Sequence, residues 1–227
     1  MFVCTSSPIE LRSVQSIINQ QIIERFFLIR QKMDGDYFGS FEGFTLPLRD
    51  GELVDFRPVK QNDKETIQKG MLALSSKSRY FRFFSPILKL SDTQLCNFTE
   101  VDQQNHVAWI ALAHNEPEDR GLGIARFIRI QNQPELAEFG VVVIDSYQQR
   151  GLGTILLAVL HRMASINGIE ILRGYVLADN TVMSSWLGRL GAVGVYENGV
   201  YRMDLTVSDD LFSSKSRKVL TDSGLNT

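Results

Sequence analysis

The stretch Glu138-Phe139-Gly140-Val141-Val142-Val143-Ile144-Asp145-Ser146-Tyr147-Gln148-Gln149-Arg150-Gly151-Leu152-Gly153-Thr154 constrains this chain more than any other. A run of apolar, β-branched residues reads as a buried strand. It passes through a glycine-punctuated turn into Ile155, Leu156, Val159, Leu160 and Met163, which fall at helical spacing and stop at Gly168. Glycine lets the backbone come close to a ligand, and the first turn of a helix leaves amide donors unpaired with partial positive charge. Diphosphate oxygens dock on such a turn. One helix terminus contributes only about 0.3 to 2 kcal/mol, so the turn needs its neighbours to make a site.

The pattern Gln148-x-x-Gly151-x-Gly153 is weak alone, with roughly 0.2 chance matches expected in a chain of this length. A second Gly-Leu-Gly, Gly121 to Gly123, is an internal control: Ile124-Ala125-Arg126-Phe127-Ile128-Arg129-Ile130 follows it and reads as strand, so only the later copy opens a helix. A kinase-type phosphate loop would need Gly-Lys-Ser/Thr, which is absent. A dinucleotide-binding turn would need a third glycine where Leu156 stands, although Asp179 after the next strand imitates its ribose-binding acid.

With 24 Lys and Arg against 26 Asp and Glu, no whole-protein field favours nucleic acid or an anionic membrane. At 227 residues and 44% hydrophobic content the expectation is a soluble globular chain with one principal core. Cys4 and Cys96 form no ligand spacing and read as free thiols of a reducing compartment; with three scattered histidines no metal site is expected. The start Met1 to Pro8 lacks a charged segment followed by an apolar run, and Arg25 to Arg30 is too short to span a bilayer. A cytoplasmic protein without membrane contact is expected.

Along the chain, Ser13 to Met33 carries an amphipathic helical pattern, to be packed on its own domain or used in a homodimer or partner contact. Asp34-Gly35-Asp36 and Gly39 to Gly43 read as linker. Val54 to Val59 reads as strand, and Asp63 precedes a helical run through Ile67, Met71, Leu72 and Leu74. Ser78-Arg79-Tyr80-Phe81-Arg82-Phe83-Phe84 interleaves bases with aromatics, which suits ring packing with snorkelling arginines or the stacking of nucleobases. A short helix over Ser91 to Phe98 with Ser91 or Asp92 as cap, strands over His106 to Ala113, Arg120 to Ile130 and Leu136 to Ile144, and a turn at Asn132-Gln133-Pro134 follow. Ile171 to Leu177 is a strand, Asn180 to Leu190 a helix, and Tyr196 to Tyr201 a hairpin around Asn198-Gly199.

This order and these residues resemble the GNAT acetyl-CoA-dependent N-acetyltransferases from about Gly51 to Leu205. Ala137-Glu138, Tyr147 to Thr154, Leu177 to Met183 and Ser78 to Phe84 are similar to the bacterial protein lysine acetyltransferase branch. The resemblance implies an α/β (α+β) fold with a mixed, mainly antiparallel central sheet flanked by helices, whose central strands splay to bind acyl-CoA. It divides the chain into an extension and linker (1–45), an acetyltransferase domain (46–206) and a polar tail (207–227).

In the family, free backbone groups of the splayed strand pair with the pantetheine arm and the turn amides hold the diphosphate. This maps onto Val141, Val142 and Val143, and onto Gln148, Gln149, Arg150, Gly151, Leu152, Gly153 and Thr154, with Asn180 near the coenzyme and also suited to cap its helix. Glu138 takes the family's general-base position, and partial burial beside Phe139 is expected to raise its pKa; the residue alone reads equally as a solvated carboxylate. The family's tyrosine acid, seven residues beyond the asparagine, is replaced by Leu187, leaving Tyr175, Ser184, Ser185 or water. The implied reaction moves acetyl from acetyl-CoA to a primary amine, a protein lysine or a small molecule. A coenzyme-binding regulatory module with little turnover is the alternative.

Overall fold

The computed structural model describes residues 43–116 and 118–208. The amphipathic pattern from Ser13 to Met33 and the tail beyond Ser208 lie outside the described residues. Among the described residues eight strands form one sheet: β1 (Phe44–Pro47), β2 (Leu53–Pro58), β3 (His106–Ala113), β4 (Gly121–Ile130), β5 (Gln133–Val143), β6 (Ile171–Leu177), β7 (Val193–Glu197) and β8 (Val200–Thr206). Their spatial order is β1-β2-β3-β4-β5-β6-β8-β7, antiparallel throughout except for β5 beside β6. The helices are α1 (Lys64–Ala73), α2 (Ser76–Phe83), α3 (Asp92–Thr99), α4 (Leu152–Ile166) and α5 (Thr181–Arg189).

β3 is apolar on both faces, as a strand covered by helices on both sides must be. The period of two sorts β5 between those faces. Val142 joins Ile67 and Met71 of α1 around a small apolar void, and a Cβ at Gly140 would meet Arg82 of α2; Glu138 shares this parity, so all three face α1 to α3. Phe139, Val141 and Val143 face α4, whose Leu156 and Val143 meet at Gly123. α4 is buried along nearly its whole length, with Leu152, Ile155, Leu156, Leu157, Val159 and Leu160 fully enclosed, and it anchors the loop that precedes it.

Side-chain caps explain the starts of α2, α3 and α5. Ser91 accepts from the Gln94 amide while the Gln94 side chain accepts from the Ser91 amide, the reciprocal arrangement that Ser-x-x-Gln encodes. Asn198 and Gly199, both at positive φ, turn β7 into β8 as the Asn-Gly pair predicts. Two expectations are corrected. The turn after β4 is Gln131-Asn132, with Asn132 at φ 69; Gln133 and Pro134 already belong to β5, because asparagine tolerates the left-handed conformation that closes the tighter hairpin. β1, starting at Phe44 inside the 1–45 stretch expected as extension and linker, is held by stacking of Phe44 on Phe56 at 5.4 Å, a long-range contact no local pattern announces.

Candidate active site

β5 and β6 pair only from Leu136 to Glu138 with Ile171 to Arg173. Beyond Glu138 each strand keeps its other neighbour, β5 through Val143 with β4 and β6 through Leu177 with β8, but the two no longer pair with each other. Phe139 lies at the parting: a Cβ at Gly174 would stand 2.9 Å from its Cε1, so the ring occupies the place a side chain on β6 would need. A cleft of about 800 Å³ opens there, running from Glu138 past the glycine loop to Asn180 and Trp186.

Two hydrogen bonds fix which backbone groups look into the gap. Ile144 N–H donates to Leu122 on the β4 side, and Glu170 N–H donates to Glu135 on the β6 side. In an extended strand successive residues alternate, so Val141 and Val143 turn their N–H and C=O toward β6, and Val142 turns its own toward β4. The expectation that all three offer backbone groups to a ligand is therefore corrected for Val142. The Val143 carbonyl accepts from the Gln148 side chain at 3.0 Å, which fastens the loop to the strand end.

The loop itself is a row of donors. Gln149 at φ 60 and Gly151 at φ 94 reverse the chain before α4 begins at Leu152. Thr154 and Ile155 N–H donate to the Gly151 carbonyl, whereas among the described residues the amides of residues 149 to 153 donate to no protein group. Successive free amides around a left-handed residue at a helix start form an anion-binding concavity. The residues present thus fit a diphosphate.

Arg150 does not point at this concavity. Its guanidinium donates to Asp50 and Glu52 in the β1–β2 turn, each at 2.5 Å, and lies over the Tyr147 ring at 4.4 Å. The Tyr147 hydroxyl donates to Glu52, and the Arg49 amide donates to the Arg150 carbonyl. The hydrogen bonds from Arg150 hold the Asp50 carboxyl below its ordinary pKa; those from Tyr147 and then Arg150 do the same for Glu52. Arg150 is a brace behind the loop, and the Leu152 side chain is core; both can offer a ligand only their amides. Asn180 caps α5, its side-chain oxygen accepting from the Met183 amide. Glu138, Val141 to Val143, Gln148, Gln149, Gly151, Gly153, Thr154 and Asn180 all line the cleft.

Glu138 stands where β5 and β6 part, and the expected partial burial is not there: the side chain is exposed to the cleft. Its surroundings are cationic instead. Arg82 of α2 lies against Gly140, two residues along β5, and Arg126 of β4 stands opposite Gly140 in register, its guanidinium 4.5 Å over the Phe98 ring. Burial, then the neighbouring Arg82 charge, push Arg126 down to about 10 against the pull of Glu138. Burial also lowers Arg82, again opposed by Glu138. His106, next in the row His106–Ile128–Glu138, is pushed down to about 4 by burial and then by Arg126.

Composition alone did not single out Arg82. The segment Ser78 to Phe84 is mostly helix, capped by Ser75, and of its aromatic rings Phe83 packs on the core while Tyr80 and Phe84 are exposed. The helical spacing that puts Arg82 toward β5 was the available signal. Leu187, at the family's tyrosine position, is 1% exposed, whereas Tyr175 lines the cleft at 43%. Among the described residues no group of three or more His, Cys, Asp or Glu side chains could hold a metal, and no helix is long and apolar enough to cross a membrane.

A mixed sheet parted at its one parallel junction, with an anion-accepting loop at the mouth and a carboxylate at the floor, defines an acyltransferase of the nucleotide-thioester type. The acetyltransferase (GNAT) domain model matches residues 54–193, and the chain belongs to that family. It is 31% identical to an acetyltransferase of Pseudomonas aeruginosa over 159 residues, 69% of this chain and 85% of that one. It is 34% identical over 165 residues to the acetyltransferase Pat of Mycolicibacterium smegmatis, covering 70% of this chain but 47% of the relative, so it aligns with about half of that protein. The crystal structure of the GNAT domain of S. lividans PAT superposes with a TM-score of 0.68 at 26% identity, over 72% of this chain and 96% of that domain.

Proposed function

We propose that the protein moves an acetyl group from acetyl-CoA to a primary amine by direct attack in a ternary complex, with a protein lysine side chain as the acceptor. The observation that carries this reading is the parting of β5 from β6 immediately above Glu138, which leaves an unpaired strand edge, a donor-lined loop and a carboxylate along one cleft. The pantetheine arm, which bears amides, adds to the free edge at Val141 and Val143 as a strand would. The diphosphate takes the amides of residues 149 to 153.

Glu138 removes the proton from the acceptor nitrogen. Neutralising a lysine with an ordinary pKa of 10.4 at pH 7.4 costs about 4 kcal/mol, so a base at the point of attack is worth having. The nitrogen lone pair then forms the C–N bond at the thioester carbon, the carbonyl oxygen is held by the Val141 amide, and the C–S electrons leave with the thiolate, which takes up the remaining proton of the attacking nitrogen directly or through water. A thiol with pKa near 8.5 leaves acceptably at neutral pH, so the loss of the family tyrosine at Leu187 is tolerable. Resemblance to the PAT branch supports the lysine acceptor.

The test is turnover with acetyl-CoA against a protein panel and a small-amine panel, read by mass spectrometry, for the native protein and Glu138→Gln. The variant is expected to keep CoA affinity and lose about 10²-fold or more in kcat. Unchanged turnover removes Glu138 as base. Products confined to small amines remove the lysine acceptor, and binding without any turnover favours a coenzyme sensor.

A further inference from the structure

We propose that Arg82 and Arg126 form an anion subsite beside Glu138 that selects acceptor amines carrying a carboxylate near the nitrogen. The inference rests on the acetyl-transfer reading of the same cleft and names its acceptor class. A Cβ at Gly140 would stand 2.7 Å from Arg82 Nη2 and 2.8 Å from its Cζ, so the absent side chain is what admits the guanidinium to the sheet. Arg126 is the register partner of Gly140, on the same face. Among the described residues no carboxylate lies within ion-pair distance of either group; the ring contacts of Arg82 with Phe83 and of Arg126 with Phe98 satisfy no N–H donor. Arg173, the register partner of Glu138 on β6, is by contrast held by two bonds of 2.8 Å to Asp204.

Arg82 is also pre-positioned. The N-terminus of α2 is pinned to the end of β5 by Asp145, which accepts from the Ser75 amide at 2.8 Å, the Ser75 hydroxyl at 2.7 Å and the Ser78 hydroxyl at 2.8 Å. Arg82 and Arg126 are both half-buried, and two neighbouring like charges repel each other unless an anion joins them. Next to the base they also repel a bare ammonium, and a carboxylate on the acceptor cancels that repulsion. Two residues of strand separate Glu138 from Gly140, so the anion sits roughly 7 Å or less from the nitrogen. It is supplied by the acceptor's own carboxylate in a small amino acid, or by an acidic residue beside a peptide lysine.

The experiment measures kcat/KM with the full chain and acetyl-CoA on matched acceptors: glycine, β-alanine and 4-aminobutyrate against their amides, and lysine peptides with Asp against Asn next to the lysine. The carboxylate member is expected to win by roughly 10- to 100-fold in one of the two series, which also identifies the source. Arg82→Gln and Gly140→Ala, the second displacing Arg82 without removing charge, are expected to bring the paired acceptors within about threefold, while Arg82→Lys restores part of the preference. Calorimetric titration of the same amino acids and amides into the CoA complex reads the subsite without turnover. Carboxylates that bind tighter than amides in the native protein but not in Arg82→Gln support it even where no acceptor is acetylated, which would refute acetyl transfer alone. Equal kcat/KM and equal binding across the pairs, or a preference that Arg82→Gln leaves intact, overturns the subsite.

Discussion

Gly153→Ala separates what the loop does for the fold from what it does for a ligand, because the two effects carry opposite signs. Gly153 is the second residue of α4, outside the left-handed region, and a Cβ built there finds Val143 Cγ2 at 3.8 Å and Trp186 Cζ2 at 3.9 Å, ordinary van der Waals contact. Replacing a helical glycine by alanine stabilises by about 0.4 to 1 kcal/mol through the unfolded chain. For a protein of this size that raises Tm by about 1 to 4 °C, with the lower half expected in a first turn. The same methyl group stands among the amides assigned to the diphosphate and keeps the phosphate oxygens from closing on them. CoA affinity is expected to fall by about tenfold or more, or about 1.4 kcal/mol. Gly151→Ala is the control: at φ 94 a side chain costs about 1 to 2 kcal/mol, lowering Tm by about 2 to 8 °C, before any ligand is added. Calorimetric melting without ligand and titration with CoA give both quantities. A Gly153→Ala protein that melts higher and binds CoA like the native one would refute the placement of the diphosphate on this loop.

The double change Asp50→Asn with Glu52→Gln releases the Arg150 brace, and titration calorimetry is expected to show a severalfold loss of CoA affinity with the glycines untouched. Both native carboxylates have folded pKa values below their unfolded ones, so the stability they lend is present above about pH 4 and is lost as pH falls through the folded values; the variant is expected to have a flatter acid limb in denaturant midpoints. His106 works in a different window. Its folded value of about 4 lies below the ordinary 6.5, so on acidification the unfolded chain takes up the proton first and stability falls from pH 6.5 toward 4. His106→Gln is expected to flatten that slope, and urea midpoints that keep the native slope would show that His106 does not cause it.

Most of the sheet was legible because its strands are amphipathic or wholly apolar at period two and are bounded by turn residues: β3, β6 and the β7–β8 hairpin lie where alternation and Asn-Gly put them. The strand, turn and helix around Gly151 and Gly153 were legible for the same reason, since conformation there is dictated locally. What could not be read is non-local. Arg150 sits inside the pattern that announces the loop, yet its side chain answers to Asp50 and Glu52, about a hundred residues earlier, and no spacing rule connects them. The exposure of Glu138 likewise depends on where β6 parts from β5, which follows from Phe139 taking the space beside Gly174.

The brace and the pinned helix share a consequence. The loop is tied on one side to the β1–β2 turn through Arg150, and on the other to the β5 end and α2 through Gln148, whose side chain donates to Val143 and, at 3.3 Å, to Ser78. Ser78 in turn donates to Asp145, four residues before α2 delivers Arg82 to Gly140. The elements assigned to the coenzyme and those assigned to the acceptor are therefore fixed to one frame by short polar links, with Glu138, the carboxylate proposed as base, in the same cleft. Transfer by direct attack needs that: with no covalent enzyme intermediate to store the acetyl group, nitrogen and thioester must be held in reach together, and small misplacements cost orders of magnitude in rate. The sequence spreads these groups over residues 50 to 180, and the parted sheet gathers them at one junction.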